Sequence, residues 1–123
     1  MLIDSGVHVG AGSDGARIST LNPWPMIYYM VTGLKSAGVL VNEGQQITRE
    51  EAIRLYSEAN GWFAREEPNL GSIELGKFGD VVVLDKDFFD QKAVPNNAIR
   101  DMKSLLTVVG GKVVHSAGPF AGR

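Results

Sequence analysis

One change of hydrophobic period divides this chain, and it falls at Pro68. Before it, apolar residues recur at helical spacing; after it, they come in short β-branched runs. Thr48-Arg49-Glu50-Glu51 reads as a capping box, in which the threonine hydroxyl and the Glu51 carboxylate satisfy the first free amides of a helix. Ala52, Leu55, Tyr56 and Ala59 follow three and four apart, Trp62 and Phe63 extend the same face, and Asn60-Gly61 is expected to kink or split the helix over 48–66. Upstream, Pro23 or Pro25 suits a first helical turn capped by Asn22, so a helix is predicted over 23–32 with its stop at Gly33. Past Pro68, Asp80 to Asp85 reads as a strand bracketed by acids. The runs 105–109 and 112–115, joined by Gly110-Gly111, carry the signature of a tight hairpin, since two glycines accept the positive φ of a type I′ turn. A helical turn is expected near 98–103. Val7 to Ala11 is read as a short, mostly apolar, buried strand entering the polar turn Gly12-Ser13-Asp14-Gly15.

These elements predict a helical half (1–68) and a strand-rich half (69–123), each incomplete. The expected strands are few and leave sheet edges open, and Val7–Ala11 has no obvious partner. The 123 residues, 44% hydrophobic and 21% charged, match a soluble globular domain or a piece of one. A net charge of −2 argues against a nucleic-acid partner. Absence of cysteine excludes disulfides and thiolate metal sites and suits a cytoplasmic setting. No apolar run approaches the roughly 20 residues a bilayer span needs, and the N-terminus lacks the basic start and apolar core of a secretory signal.

Three constellations bear on chemistry. Gly10-Ala11-Gly12-Ser13-Asp14-Gly15 formally matches G-x-G-x-x-G, but that fingerprint requires a helix at its last glycine, and here loop and prolines follow. Asp14 stands just beyond a predicted buried strand, where barrel enzymes place catalytic groups; such a carboxylate can ligate a metal and take a proton from water. Spacing alone favours an Asx-turn there, because Ser-Asp-Gly is ordinary turn chemistry. His8 and His115 form no H-x-H or H-E-x-x-H pair. His8 and Asp14 share a face in strand register but would lie about 20 Å apart along it, too far for one metal. His8 therefore reads as structural and His115 as solvated. Trp24, Tyr28, Tyr29, Trp62 and Phe63 read as core or interface aromatics before they read as a substrate pocket. Arg17, in the loop after Asp14, can bind an anionic group or simply face solvent.

Four strings, Val7 to Asp14, Ile47 to Ala52, Leu70 to Asp85 and Val108 to Val114, together resemble the C-terminal part of the metal-dependent amidohydrolase superfamily. The likeness is to its amidohydrolase 3 type, which includes N-substituted formamide deformylase-like proteins. The strings occur in the family's order and cover nearly the whole chain; at Gly79 the family usually has alanine.

This resemblance implies an α/β fragment: the last strand and helices of a (β/α)₈ hydrolase barrel, plus the C-terminal strands of an adjoining small β-domain. It implies that Asp14 is the aspartate that binds the metal, zinc or another divalent ion, and shuttles the proton of the hydrolytic water. It implies a small amide-type substrate, with Arg17 as a candidate contact. The family's H-x-H pair, its bridging residue and its two later histidines lie upstream of the segment matched here. One carboxylate cannot hold a catalytic zinc, which takes three or more protein ligands. The isolated chain is accordingly expected to bind no metal, to be hydrolytically inactive, and to self-associate through exposed strands or apolar faces. The alternative is a stand-alone, non-catalytic oligomerising module.

Overall fold

The computed structural model describes residues 2–17 and 19–123. Among these residues three helices precede three strands: α1 (Trp24–Thr32), α2 (Arg49–Tyr56) and α3 (Glu58–Ala64), then β1 (Val81–Leu84), β2 (Ser104–Val109) and β3 (Lys112–Ser116). Short 3-10 turns occupy Ile3–Ser5, Asn96–Asp101 and Gly118–Phe120. Among the described residues, no helix is long and apolar enough to cross a membrane.

Helix α1 begins where the Asn22 side chain accepts the Trp24 amide at 3.1 Å. It stops at Gly33, whose φ of 71° lets its amide turn back onto the Tyr29 carbonyl. A Cβ at Gly33 would stand 2.6 Å from the Gln46 side-chain nitrogen, so a side chain there would displace Gln46 as well as strain the backbone. Helix α2 opens with the full capping box: Thr48 Oγ1 accepts the Glu51 amide at 3.2 Å, and the Glu51 carboxylate accepts the Thr48 amide at 2.7 Å.

The helix predicted over 48–66 does divide, but at Ser57 rather than at Asn60-Gly61. Ser57 takes φ −117° and ψ −85°, and its hydroxyl donates to the Ile53 carbonyl, a local bond that competes with helix continuation. Asn60 and Gly61 sit inside α3. Gly61 is buried beside the backbone of Glu67 and Leu70. The break also turns the helical face, so that Trp62 and Phe63 end 43% and 55% exposed instead of continuing the buried stripe of Ala52.

The strands form one antiparallel sheet in the order β1-β2-β3. Gly110 and Gly111 both take positive φ, 56° and 77°, as a type I′ connection requires. Val114 is the extra residue of a bulge in β3, because Thr107 faces His115 while Val108 faces Val113. β1 is clamped at both ends by the acids that flank it. The Asp80 carboxylate accepts the Gly110 amide at 2.6 Å, and the Asp85 carboxylate accepts the Lys103 amide at 2.9 Å.

A single hydrophobic cluster crosses the division at residue 68. Trp24, Ile27 and Tyr28 of α1 and Ala52 of α2 pack with Phe88, Val94, Ile99 and Met102. The second group comes from the loop and 3-10 turn between β1 and β2, which lay against α1. Arg49 is buried with this cluster. Its guanidinium donates to the carbonyls of Phe88 and Val94 (the latter at 2.6 Å) and to Asn96 Oδ1 at 2.9 Å, and lies 5.2 Å from the Phe88 ring centre.

The buried strand expected at Val7–Ala11 is not formed. Residues 7–14 belong to no ladder, and Val7 is 61% exposed. A strand needs a neighbour for every second pair of backbone groups, and the sheet of this chain lies elsewhere. The segment runs irregularly along the α2–α3 break instead.

Candidate functional site

Asp14 lies in an exposed turn after that segment, with φ 50°. This left-handed conformation is strained for most residues and better tolerated by aspartate and asparagine. The turn closes on itself: the Ala16 amide donates to the Ser19 carbonyl at 3.1 Å, and Gly15 bridges Ser19. Arg17 is exposed on the same turn.

What holds the approach to this turn is the break between α2 and α3. Helix α2 ends at Tyr56, which leaves carbonyls of its last turn without helical partners. Leu55 O accepts the Ala11 amide at 2.9 Å. The Asn60 amide group donates both to Ala11 O at 3.0 Å and to Tyr56 O at 3.3 Å. His8 stacks on Trp62, with ring centres 4.0 Å apart and planes 10° from parallel. Beside that stack lies an open cleft of about 420 Å³, edged by Arg54, Glu58, Glu67 and Lys77. A second cleft of about 520 Å³ is lined by Leu2, Ile3, Tyr29, Met30, Asn42 and Leu55 among others, and Asn42 Nδ2 donates to the Tyr29 hydroxyl there. Asp14 and Arg17 line neither cleft.

Among the described residues, no three of His, Cys, Asp and Glu are grouped so as to hold a metal ion. Asp14 and His8, the two candidates on the N-terminal segment, therefore share no set of three ligands. His115 lies on β3, its Nε2 3.2 Å from Ser104 O. Trp24 and Tyr28 are core residues, as their spacing suggested, whereas Trp62 and Phe63 are half-exposed.

Two residues that matter to this architecture were not singled out from the sequence. In the sequence pattern Arg49 stands only as the second member of a capping box. Its signal was a charge three residues before Ala52, on the buried stripe itself. Asn60 has the sequence signal of a helix breaker; of the two carbonyls it serves, Tyr56 O is open only because the helix breaks at Ser57.

Comparison with known proteins gives a family. Residues 1–115 match the Amidohydrolase family. The chain is also 29% identical, over 110 residues, to the N-substituted formamide deformylase of Arthrobacter pascens. That alignment covers 89% of this chain and 20% of the relative, so the chain spans about a fifth of the relative's length. No solved structure matches.

Proposed function

The chain belongs to the amidohydrolase family, and on that premise we propose that it is the C-terminal portion of a metal-dependent, cytoplasmic amidohydrolase that hydrolyses a non-peptide C–N bond in an amide, formamide or cyclic amide. In this reading Asp14 is the family aspartate, a metal ligand that also carries the proton of the attacking water. In the complete enzyme residues 7–11 would form the last strand of a (β/α)₈ barrel, a strand this chain does not form by itself, and β1 to β3 would be part of a composite β-domain. Arg17 serves as a substrate contact.

The observation that carries this reading is the extent of the family match, which runs through Asp14 and continues to His115 at the end of β3. The exposed position of the Asp14 turn is compatible with a carboxylate directed at groups outside this chain. The residues present do not fit a catalytic metal by themselves. A zinc site takes three or more protein ligands, and among the described residues Asp14 belongs to no group of three such residues. In this reading the 123 residues alone are hydrolytically inactive.

The decisive experiment incubates the purified chain, and its Asp14→Asn variant, with an N-substituted formamide in the presence of zinc, manganese or cobalt. No turnover above buffer is expected from either. Metal-dependent hydrolysis by the parent chain that disappears in Asp14→Asn would overturn the inactivity of the isolated chain.

A second reading, a non-catalytic module that self-associates, is favoured by one observation. Val82, Val109, Val113 and Val114 of the small sheet, and Trp62 and Phe63 of α3, are all at least 43% exposed. Exposed apolar strands of this kind are ready templates for pairing with another copy.

A further inference from the structure

We infer that Asn60 and Trp62 are positioning residues: from the break between α2 and α3 they hold the 7–11 segment and thereby fix the turn that carries Asp14. The inference rests on reading Asp14 as the chemically important carboxylate, but the hold itself is measured without reference to that role.

The geometry assigns each contact a separate job. Ala11 is gripped at both of its backbone groups. Its amide donates to Leu55 O, and its carbonyl accepts a hydrogen bond from Asn60 Nδ2. These are the pairings a neighbouring strand would supply, here provided by a helix end and one side chain. Asn60 is itself fixed, since the same amide group donates to Tyr56 O. Three residues upstream, the imidazole of His8 lies flat on the Trp62 indole. Between the two contacts, Gly10 passes so close that a Cβ there would overlap Asn60 Oδ1 and stand 2.8 Å from the Phe63 ring. The segment is thus fastened at residues 8 and 11 and pressed close at residue 10, and Asp14 begins its left-handed turn three residues after the last fastening.

No other segment is needed to explain why an irregular, largely exposed stretch takes one course. Asn60 supplies a donor that aspartate lacks, so Asn60→Asp removes the bonds to both Ala11 O and Tyr56 O at nearly constant shape. Trp62→Ala removes the stacking surface at a half-exposed position, where the loss of core packing is small.

The test is amide exchange and proton NMR on the full 123-residue chain. In the parent, the Ala11 amide should be protected and the His8 ring protons shifted upfield by the indole. Asn60→Asp is expected to raise Ala11 exchange about tenfold, the loss of roughly one hydrogen bond, and to reduce the His8 shift although His8 does not touch Asn60. Trp62→Ala is expected to abolish the His8 shift and to raise Ala11 exchange as well, with Trp62→Phe recovering part of both. In both disruptive variants the Ser13, Asp14 and Gly15 resonances should move toward their disordered positions. Should Asn60→Asp lose the dispersed signals of Val94 and Ile99, which mark the core, the Trp62 pair carries the test. Ala11 exchange within twofold of the parent, or Ser13–Gly15 resonances that do not move, overturns the inference. Failure of Asp14 to bind metal would leave these readouts untouched, so the two readings fail separately.

Discussion

Arg49 at the start of α2 donates to the carbonyl of Val94 across 2.6 Å, joining residues that lie 45 apart in sequence. The same guanidinium serves Phe88 O and Asn96 Oδ1. A buried cation normally requires a carboxylate, and here carbonyl dipoles and an aromatic face replace it. The arrangement pins the loop between β1 and β2 onto the helices and brings Phe88 and Val94 into the core. Removing the fork leaves these acceptors buried and unpaired. Arg49→Ala should therefore cost about 3 kcal/mol, and Arg49→Lys about 2 kcal/mol, because an ammonium cannot span the same acceptors. Urea unfolding monitored through Trp24, which packs near Phe88, checks the figures. A loss below about 1 kcal/mol for Arg49→Ala would mean that the loop is held by its apolar contacts alone.

Tyr56 makes the opposite case. Its hydroxyl is buried and finds no hydrogen-bond partner among the described residues. Burial pushes the phenol above its ordinary pKa. Deleting an unsatisfied hydroxyl restores nothing that was bonded, so Tyr56→Phe should be neutral or stabilising by up to about 1 kcal/mol. The pH dependence follows from the direction of the shift. With the folded pKa raised, the folded state holds its proton more tightly than the unfolded one. This contribution is complete below the unfolded pKa near 10 and is lost as pH rises through the folded value. Melting temperatures from pH 8 to 11 should fall less steeply in Tyr56→Phe than in the parent; parallel curves would contradict the assignment.

Asp80 and Asp85 each turn a strand boundary into a hydrogen bond. Asp85 is the stronger case, because its amide also donates to Lys103 O at 3.0 Å while its carboxylate accepts the Lys103 amide. Asp85→Ala and Asp80→Ala should each cost about 1–2 kcal/mol, in line with charge-assisted bonds to backbone amides. The loss should concentrate in β1. Amide exchange checks this: Lys103 and the β1 amides should lose protection before those shared by β2 and β3. Uniform loss across all three strands would show that β1 does not open separately.

Local chemistry was legible in this sequence, and contacts between distant segments were not. Gly33, the Thr48–Glu51 box and the Gly110–Gly111 turn each carry their instruction within a few residues, and each does what that instruction says. The break at Ser57 was not legible, because Asn60-Gly61 carries the stronger local breaking signal and yet both residues are accommodated inside α3. The strand at Val7–Ala11 failed for a different reason. Apolar alternation licenses a strand only where a ladder exists to join, and the partner is a property of the rest of the fold. Asp14 was visible as a residue and as part of a family string, yet its exposure and its left-handed φ were not. Nor was the hold on Ala11, which exists only because a helix break frees Leu55 O.

The edge of β3 provides the last prediction, and it bears on which functional reading is right. Val114 is 61% exposed and sits at the bulge, a device that normally discourages pairing along an edge. Its neighbours Val113 and Val109 are also about half-exposed, so the bulge interrupts an apolar edge without making it polar. A portion of a larger enzyme should associate through such an edge without a fixed stoichiometry, whereas an independent module should form one discrete species that melts cooperatively. Sedimentation velocity over a hundredfold range of concentration separates the two. We expect a broad, concentration-dependent distribution for the parent chain. In Val114→Lys, association should require about tenfold more protein, the effect of a loss of roughly 1.4 kcal/mol from placing a charge on the edge. A single sharp boundary at every concentration, unchanged by Val114→Lys, would favour the independent module and remove β3 as its contact.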